Sequence, residues 1–218
     1  MNNLTARAFT EMMKDVGTSI PGHILAFDPI TQLAQVQIGI VKTRIDGMTF
    51  EPTPLIEVPV YFFGGAYCIE VQIDPLTEGV IVFSQRCIDA WVNTGGVAEN
   101  PIMRFHDFSD ACFLPGLRSQ PNKIADFKNN GIRMRNADGT NYIWLKNDGT
   151  AEIKAALTVT GNITQTGDIT SSGTITATTD VKGGGVSLLS HTHEYVNTLP
   201  NGTPAPITTT TPPTPEAP

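Results

Sequence analysis

The odd-numbered residues from Ile153 to Val181 are mostly aliphatic or glycine, and the even-numbered ones between them are mostly threonine. Alternation of this kind is the pattern of an extended strand with one apolar face and one wettable face. A second period lies on top of it. Gly161, Gly167 and Gly173 recur every six residues, and Ile163, Ile169, Ile175 and Val181 follow at the same spacing. Continued past Val181, the odd phase runs through Gly183, Gly185, Ser187 and Leu189 to His191 and His193. An unbroken register would place both imidazoles on the isoleucine face.

One chain cannot bury that face. A lone strand leaves its ladder groups open and its apolar row in water, and six-residue spacing leaves no room for a hairpin partner. The economical solution winds several copies around one axis, with Ile and Val inside and β-branched, wettable Thr outside. Glycine at each repeat lets backbones bend or approach closely. Three copies are expected, giving a homotrimer with an intertwined triple-stranded β-helix. This pattern resembles that of viral fibres and spikes.

Composition narrows the functions open to such a chain. Its 218 residues carry a net charge of −7 and a pI near 5.0, with only 16% charged residues. An acidic surface argues against sequence-independent binding of nucleic acid, which needs basic side chains, so no nucleic-acid partner is expected. It also argues against docking on anionic lipid by charge. Cys68, Cys87 and Cys112 show no CxxC spacing. They read as ordinary buried thiols of a protein made in a reducing compartment. No secretory leader or transmembrane span is expected, because no apolar run approaches the ~20 residues a span needs.

The rest of the chain divides as follows: an N-terminal helix at 1–19, a barrel at 20–115, a connector with β-hairpins at 116–150, the shaft at 151–190, and an apex and tail at 191–218. Leu4, Ala8, Met12 and Val16, with Phe9 and Met13, give residues 3–16 an amphipathic helical period. This helix packs either on its own domain or on a larger partner. Strands are expected at 23–27, 33–38, 55–63, 68–73 and 79–85, and five strands in this length fit an OB-fold barrel. Residues 110–121 read as an exit loop. Tyr61, Phe62 and Phe63 read as core or interface, and His23 and His106 as structural. Asp89, Asp107 and Asp110 read as scattered carboxylates with no catalytic pairing. Asp138-Gly139 and Asp148-Gly149, each flanked by alternating runs, predict type I′ hairpins in a meander over 127–150. The Pro- and Thr-rich residues after His193 are either disordered or extended along the tip.

Several features taken together resemble the central spike proteins of contractile-tailed bacteriophages. They are the barrel, the phrase Phe113-Leu-Pro-Gly-Leu-Arg118, the Gly-x-Ile-Thr shaft, and Gly185-Val-Ser-Leu-Leu-Ser-His191-Thr-His193. The likeness is strongest from Gly149 to His193 and is at the level of fold in the barrel. It implies an all-β homotrimer seated on the tail hub of the baseplate by its OB-fold end. A triple-stranded β-helix would follow, ending in a pointed apex in which His191 and His193 of each chain bind one iron ion per trimer. The role implied is to pierce the host outer membrane as the sheath contracts, from the baseplate tip of the virion. The chain departs from the family after the histidines, where Glu194-Tyr195-Val196 stands in place of a Gly-rich segment.

The residues agree chemically with such a metal. Histidines at i and i+2 of a strand share a face, and a threefold axis turns two imidazoles into six. Six nitrogens suit octahedral iron, nickel or cobalt better than zinc, which is usually four-coordinate. A site without an open position is structural rather than catalytic, and with no paired carboxylates, no nucleophile beside a base and no phosphate loop in the sequence, no enzymatic activity is expected. Two other classes fit parts of the pattern. A receptor-binding fibre or adhesin would use the same shaft, but would need a recognition head larger than the residues after His193. A hexapeptide-repeat acyltransferase would place its aliphatic residue directly before a small one, whereas the order here is Gly-x-Ile.

Overall fold

The computed structural model describes residues 3–14, 16–44, 46–100, 102–192, 194–195 and 208–209. The chain forms two compact units, Met1–Ala155 and Ala156–Pro218. Among the described residues the architecture is all-β with two short helices.

In the first unit, helix α1 (Asn3–Lys14) leads into β1 (Ser19–Asp28) and β2 (Leu33–Ile38). A small ribbon of β3 (Lys42–Thr43) and β4 (Thr49–Phe50) follows, then β5 (Leu55–Pro59), β6 (Glu78–Phe83), helix α2 (Asp89–Thr94) and β7 (Ala111–Pro115). Five strands hydrogen-bond in the order β5-β2-β1-β6-β7, with antiparallel neighbours. A register shift between Ile24 and Ala26 adds one residue to β1 opposite β2. Such a bulge bends a strand and increases its twist. The sheet curls into a half-barrel, and its edges meet where Val60 bridges Phe113 in parallel. Tyr61 N–H donates to Phe113 O there, at 2.8 Å.

Alternation sets the core. Ile24 from β1, Ala34, Val36 and Ile38 from β2, Val58 from β5, Ile81 and Phe83 from β6, and Ala111 and Phe113 from β7 all point inward and are buried. Each large side chain there contributes roughly 1.5–3 kcal/mol relative to exposure. Phe108 closes one end, edge-on to Phe83 at 4.8 Å. Phe62 packs on the same core, while Tyr61 and Phe63 are exposed.

One expected strand and one expected loop are corrected. Cys68–Ile73 alternates but forms no strand. The chain turns back at Gly64 and Gly65, so Cys68 bridges Gly64 and Ile69 N–H donates to Phe63 O, which gives the run local partners. The fifth strand is Ala111–Pro115, from the segment read as an exit loop, and it carries the fully buried Phe113. Among the thiols, Cys87 is buried and Cys112 half-buried, but Cys68 is exposed. The described apolar side chains of α1, Phe9, Met12 and Met13, are exposed, so the helix does not pack on its own domain through them.

A second sheet, β10-β9-β8, is the expected meander: β8 (Gly131–Arg135), β9 (Tyr142–Lys146) and β10 (Ala151–Lys154). Its turns differ from the type I′ expectation. Only Gly139 and Gly149 take positive φ, and each N–H donates three residues back, to Asn136 O and Lys146 O. Asp138 and Asp148 instead accept from the N–H and hydroxyl of Thr140 and Thr150, which holds both carboxyls below their ordinary values. Ala151–Lys154, read as the first shaft residues, pairs with β9.

The second unit holds the ribbons β11 (Lys182–Gly183) with β12 (Val186–Ser187) and β13 (Glu194–Tyr195) with β14 (Thr208–Thr209). The second ribbon joins two residues of the Thr-rich tail to the segment that follows the histidines. Among the described residues no helix is long and apolar enough to cross a membrane.

Candidate functional site

From Ala156 to Val181 the chain enters no strand and no helix. Among the described residues, no backbone hydrogen bond ties this segment to another before Val181 O accepts from Leu188 N–H at 2.8 Å. The backbone bends at residues 161, 166–167, 172–173 and 178–179, so the six-residue period of the sequence is also a period of direction. Gly161 and Gly167 have φ of 129° and 119°. Nothing of the same chain lies within 4 Å of where their Cβ atoms would be. Backbone angle, rather than a neighbour in the chain, is what selects glycine at these two positions. Ile163, Ile169, Ile175 and Val181 are 72%, 72%, 67% and 44% exposed.

The approach to the histidines is not the continuous strand that the alternation predicts. Gly184 and Gly185 have φ of 58° and 86° and reverse the chain between β11 and β12. Two successive positive angles define a type I′ turn, which side chains resist and glycine accepts. Phase along the isoleucine row therefore does not carry through to His191. A compact turn positions that residue instead. Leu189 N–H donates to Asp180 Oδ1 at 3.2 Å, Ser190 N–H to Ser187 Oγ at 3.0 Å, and His191 N–H to Ser187 O at 3.1 Å.

The His191 ring is half-buried, with Nδ1 3.1 Å from Ser187 O and 3.0 Å from Leu188 O. Two carbonyl acceptors at one nitrogen require that nitrogen to carry the proton. The tautomer so assigned puts the ring lone pair on Nε2, the atom a metal would use. Metal-bound histidines commonly donate their other ring N–H to a backbone carbonyl. His191 thus fits the role of ligand for the implied iron. His193 lies outside the described residues.

A different cluster forms in the half-barrel. The side chains of Cys87, Asp89 and Asp110 converge. Arg104 already fills the space between them. Its Nε and Nη2 donate to Asp110 at 3.0 and 2.8 Å, and Nη2 also donates to Asp89 at 2.9 Å and Cys87 Sγ at 3.1 Å. A guanidinium bound on these faces supplies the positive charge a cation would bring, so this is a structural clamp. Asp110 is fully buried and also accepts from Ile88 N–H at 3.0 Å, while its own carbonyl accepts from Ser84 N–H at 2.8 Å. Burial pushes its carboxyl up, but Arg104 and Ile88 outweigh burial and hold it below its ordinary value.

Such a carboxyl stabilises the fold fully above the ordinary carboxylate range, and the contribution is lost as pH falls through its folded value. The urea midpoint of the half-barrel should therefore drop on acidification below about pH 4. Asp110→Ala, which leaves the half-buried Arg104 with only Asp89 as a partner carboxylate, should cost roughly 3 kcal/mol at neutral pH. It should also flatten the acid dependence. Urea titrations at pH 7 and pH 3.5, followed by tryptophan fluorescence, check both.

The comparisons bear on the half-barrel. Residues 20–116 match the family described as phage protein Gp138 N-terminal domain. The match covers less than half of the chain. It supports a phage structural protein, a virion component with a baseplate-related role. No curated protein matches the chain.

Of the residues singled out in the sequence, His106 is structural in a specific way. Its Nδ1 lies 3.1 Å from Gly17 O and its carbonyl accepts from Gly17 N–H at 2.9 Å, tying the entry to β1 to the loop before β7. Asp89 and Asp110, read as scattered, come together on Arg104. No motif signals this, because the partners lie 6 and 15 residues from Arg104 with no common period.

Proposed function

We propose that this chain is the central spike of a contractile phage tail. It would be a homotrimer whose OB-type half-barrel seats on the tail hub and whose shaft is a triple-stranded β-helix driven through the host outer membrane by sheath contraction. One observation carries the reading. The segment from Ala156 to Val181 bends every six residues, with its isoleucines in the open and its backbone unpaired among the described residues. An exposed apolar row is costly in water, and it can be buried only if the backbone beside it gains hydrogen-bond partners. Copies related by a threefold axis would supply both the cover and the partners at once. The family match over the half-barrel supports the phage setting.

In this reading His191 and His193 of three chains hold one iron ion at the apex. The ion supplies a fixed crosslink between chain ends. His191 contributes a ring oriented by the carbonyls of Ser187 and Leu188. The chain works by stiffness and shape, and sheath contraction provides the energy. Sedimentation of the purified protein should give the mass of three chains. Cryo-electron microscopy of the virion should place it on the tail axis. A position on peripheral fibres would favour a receptor-binding adhesin, and peptidoglycan clearing by the pure protein would contradict a purely mechanical role.

A further inference from the structure

The meander sheet inverts the usual order of burial. Met134, Ile143 and Ile153 on one face are exposed, whereas Arg133, Tyr142, Trp144, Lys146 and Glu152 on the other are half-buried. The register sets Arg133, Trp144 and Glu152 in one row and Arg135, Tyr142 and Lys154 in the next. Cations lie over the rings of this face. The Arg133 guanidinium is 4.3 Å from the Tyr142 ring centre and 5.6 Å from that of Trp144, and the Lys146 ammonium is 4.8 Å from the Trp144 ring centre. Glu152 accepts from Tyr142 Oη at 2.5 Å and pairs with Lys146 at 2.6 Å, so both of its oxygens are engaged.

Two donors in the central row are left over. The Arg133 side chain is only 9% exposed, yet its Nε has no hydrogen-bond partner, and neither has the buried Nε1 of Trp144 directly opposite. The rest of the guanidinium is engaged: Nη2 donates to Gly139 O at 3.3 Å, and Nη1 lies 3.9 Å from Asp126. Buried donors are costly without an acceptor, so a pair of them side by side calls for one. Charge selects its kind. The face carries Arg133, Arg135, Lys146 and Lys154 against the single carboxylate of Glu152, in a chain of net charge −7. Cations remain in excess when Asp126 is counted. We infer that this face binds a phosphate-type oxyanion, held by Arg133 Nε and Trp144 Nε1 with the Lys146 ammonium beside them. Such a group offers several oxygens to donors arriving from different directions, and a guanidinium matches its geometry. Lys146 is the movable part, because its flexible stem swings aside to admit the ligand. The site lies within one sheet of one chain and does not depend on the trimer.

The indole N–H signals in the nuclear magnetic resonance spectrum of the isotope-labelled, full-length protein test this, with Trp144→Phe assigning the Trp144 signal. Sodium phosphate should shift that signal saturably and leave the Trp91 signal in place. By calorimetry, Trp144→Phe keeps an aromatic ring but removes the donor, and should weaken phosphate binding roughly tenfold. Arg133→Lys keeps the charge but loses Nε, and should weaken it at least as much. No shift in the parent overturns the inference, whether or not the variants fold. So does a shift that chloride reproduces at equal ionic strength, or unchanged affinity in both folded variants. Flotation with vesicles containing phosphatidic acid identifies the source of the group. Capture of the parent but not of Trp144→Phe assigns a lipid headgroup, and binding of free phosphate without capture assigns a soluble phosphate.

Discussion

Ile169→Asp should abolish assembly and leave the half-barrel folded. Ile169 lies mid-row and is 72% exposed in the single chain, so little is lost within the chain by changing it. In a trimer wound about that row, three carboxylates would face one axis. Like charges buried together cannot all ionise, and keeping them neutral costs several pKa units of protonation. The layer at residue 169 would also lose three isoleucines worth roughly 1.5–3 kcal/mol apiece. Thr170→Asp is the control, because a shift of one residue moves the charge to the other face. Sedimentation should give single chains for Ile169→Asp and three-chain particles for Thr170→Asp and the parent. A normally stable Ile169→Asp trimer would take the isoleucine row off the axis.

His191→Ala should strip the metal without dissolving the particle. By symmetry the change removes three ligands at once, and half an octahedron holds iron poorly. Elemental analysis of the parent should find one iron per three chains. The variant should fall to background while keeping its mass, since the isoleucine row, not the ion, is asked to hold the chains together. Imidazole binds metal only when deprotonated, so the parent should also release its ion on acidification. Full metal content in the variant would move the ligands elsewhere. Loss of the trimer would make the ion an organiser of the fold.

Periodic parts of the molecule were legible in the sequence, and aperiodic parts were not. Strands β1, β2 and β6 follow from alternation because one face of each lies on the core. The same rule misleads at Cys68–Ile73, where Gly64 and Gly65 reverse the chain before the run can reach a sheet edge. Ala111–Pro115 is too short and too fully apolar to alternate. Its bounds, Asp110 and Pro115-Gly116, were the available sign of a buried strand. The His-x-His spacing is visible, but the phase argument attached to it stops at the Gly184-Gly185 turn. A two-residue reversal erases the memory of which face the chain was on. The clamp on Arg104 joins four positions with no common period, so only the folded chain reveals it.

That clamp also fixes how the half-barrel can vary. The chain leaves β6 at Phe83 and returns as β7 at Ala111, and Asp110 grips both ends of the excursion through Ser84, Ile88 and Arg104. Residues 95–97 and 99–100 outside this buckle are exposed, Val97 completely so. Because the loop is closed at its base, the sheet does not sense its length, and each doubling of a flexible loop costs only about 0.6 kcal/mol. A peptide tag inserted between Gly95 and Gly96 should leave the thermal midpoint of the half-barrel nearly unchanged, whereas the same insertion at Asp110 should not be tolerated. The excursion is thus a site where new surface can be added by insertion, for an experimenter's epitope or an evolving contact, without disturbing either sheet or the repeat that follows.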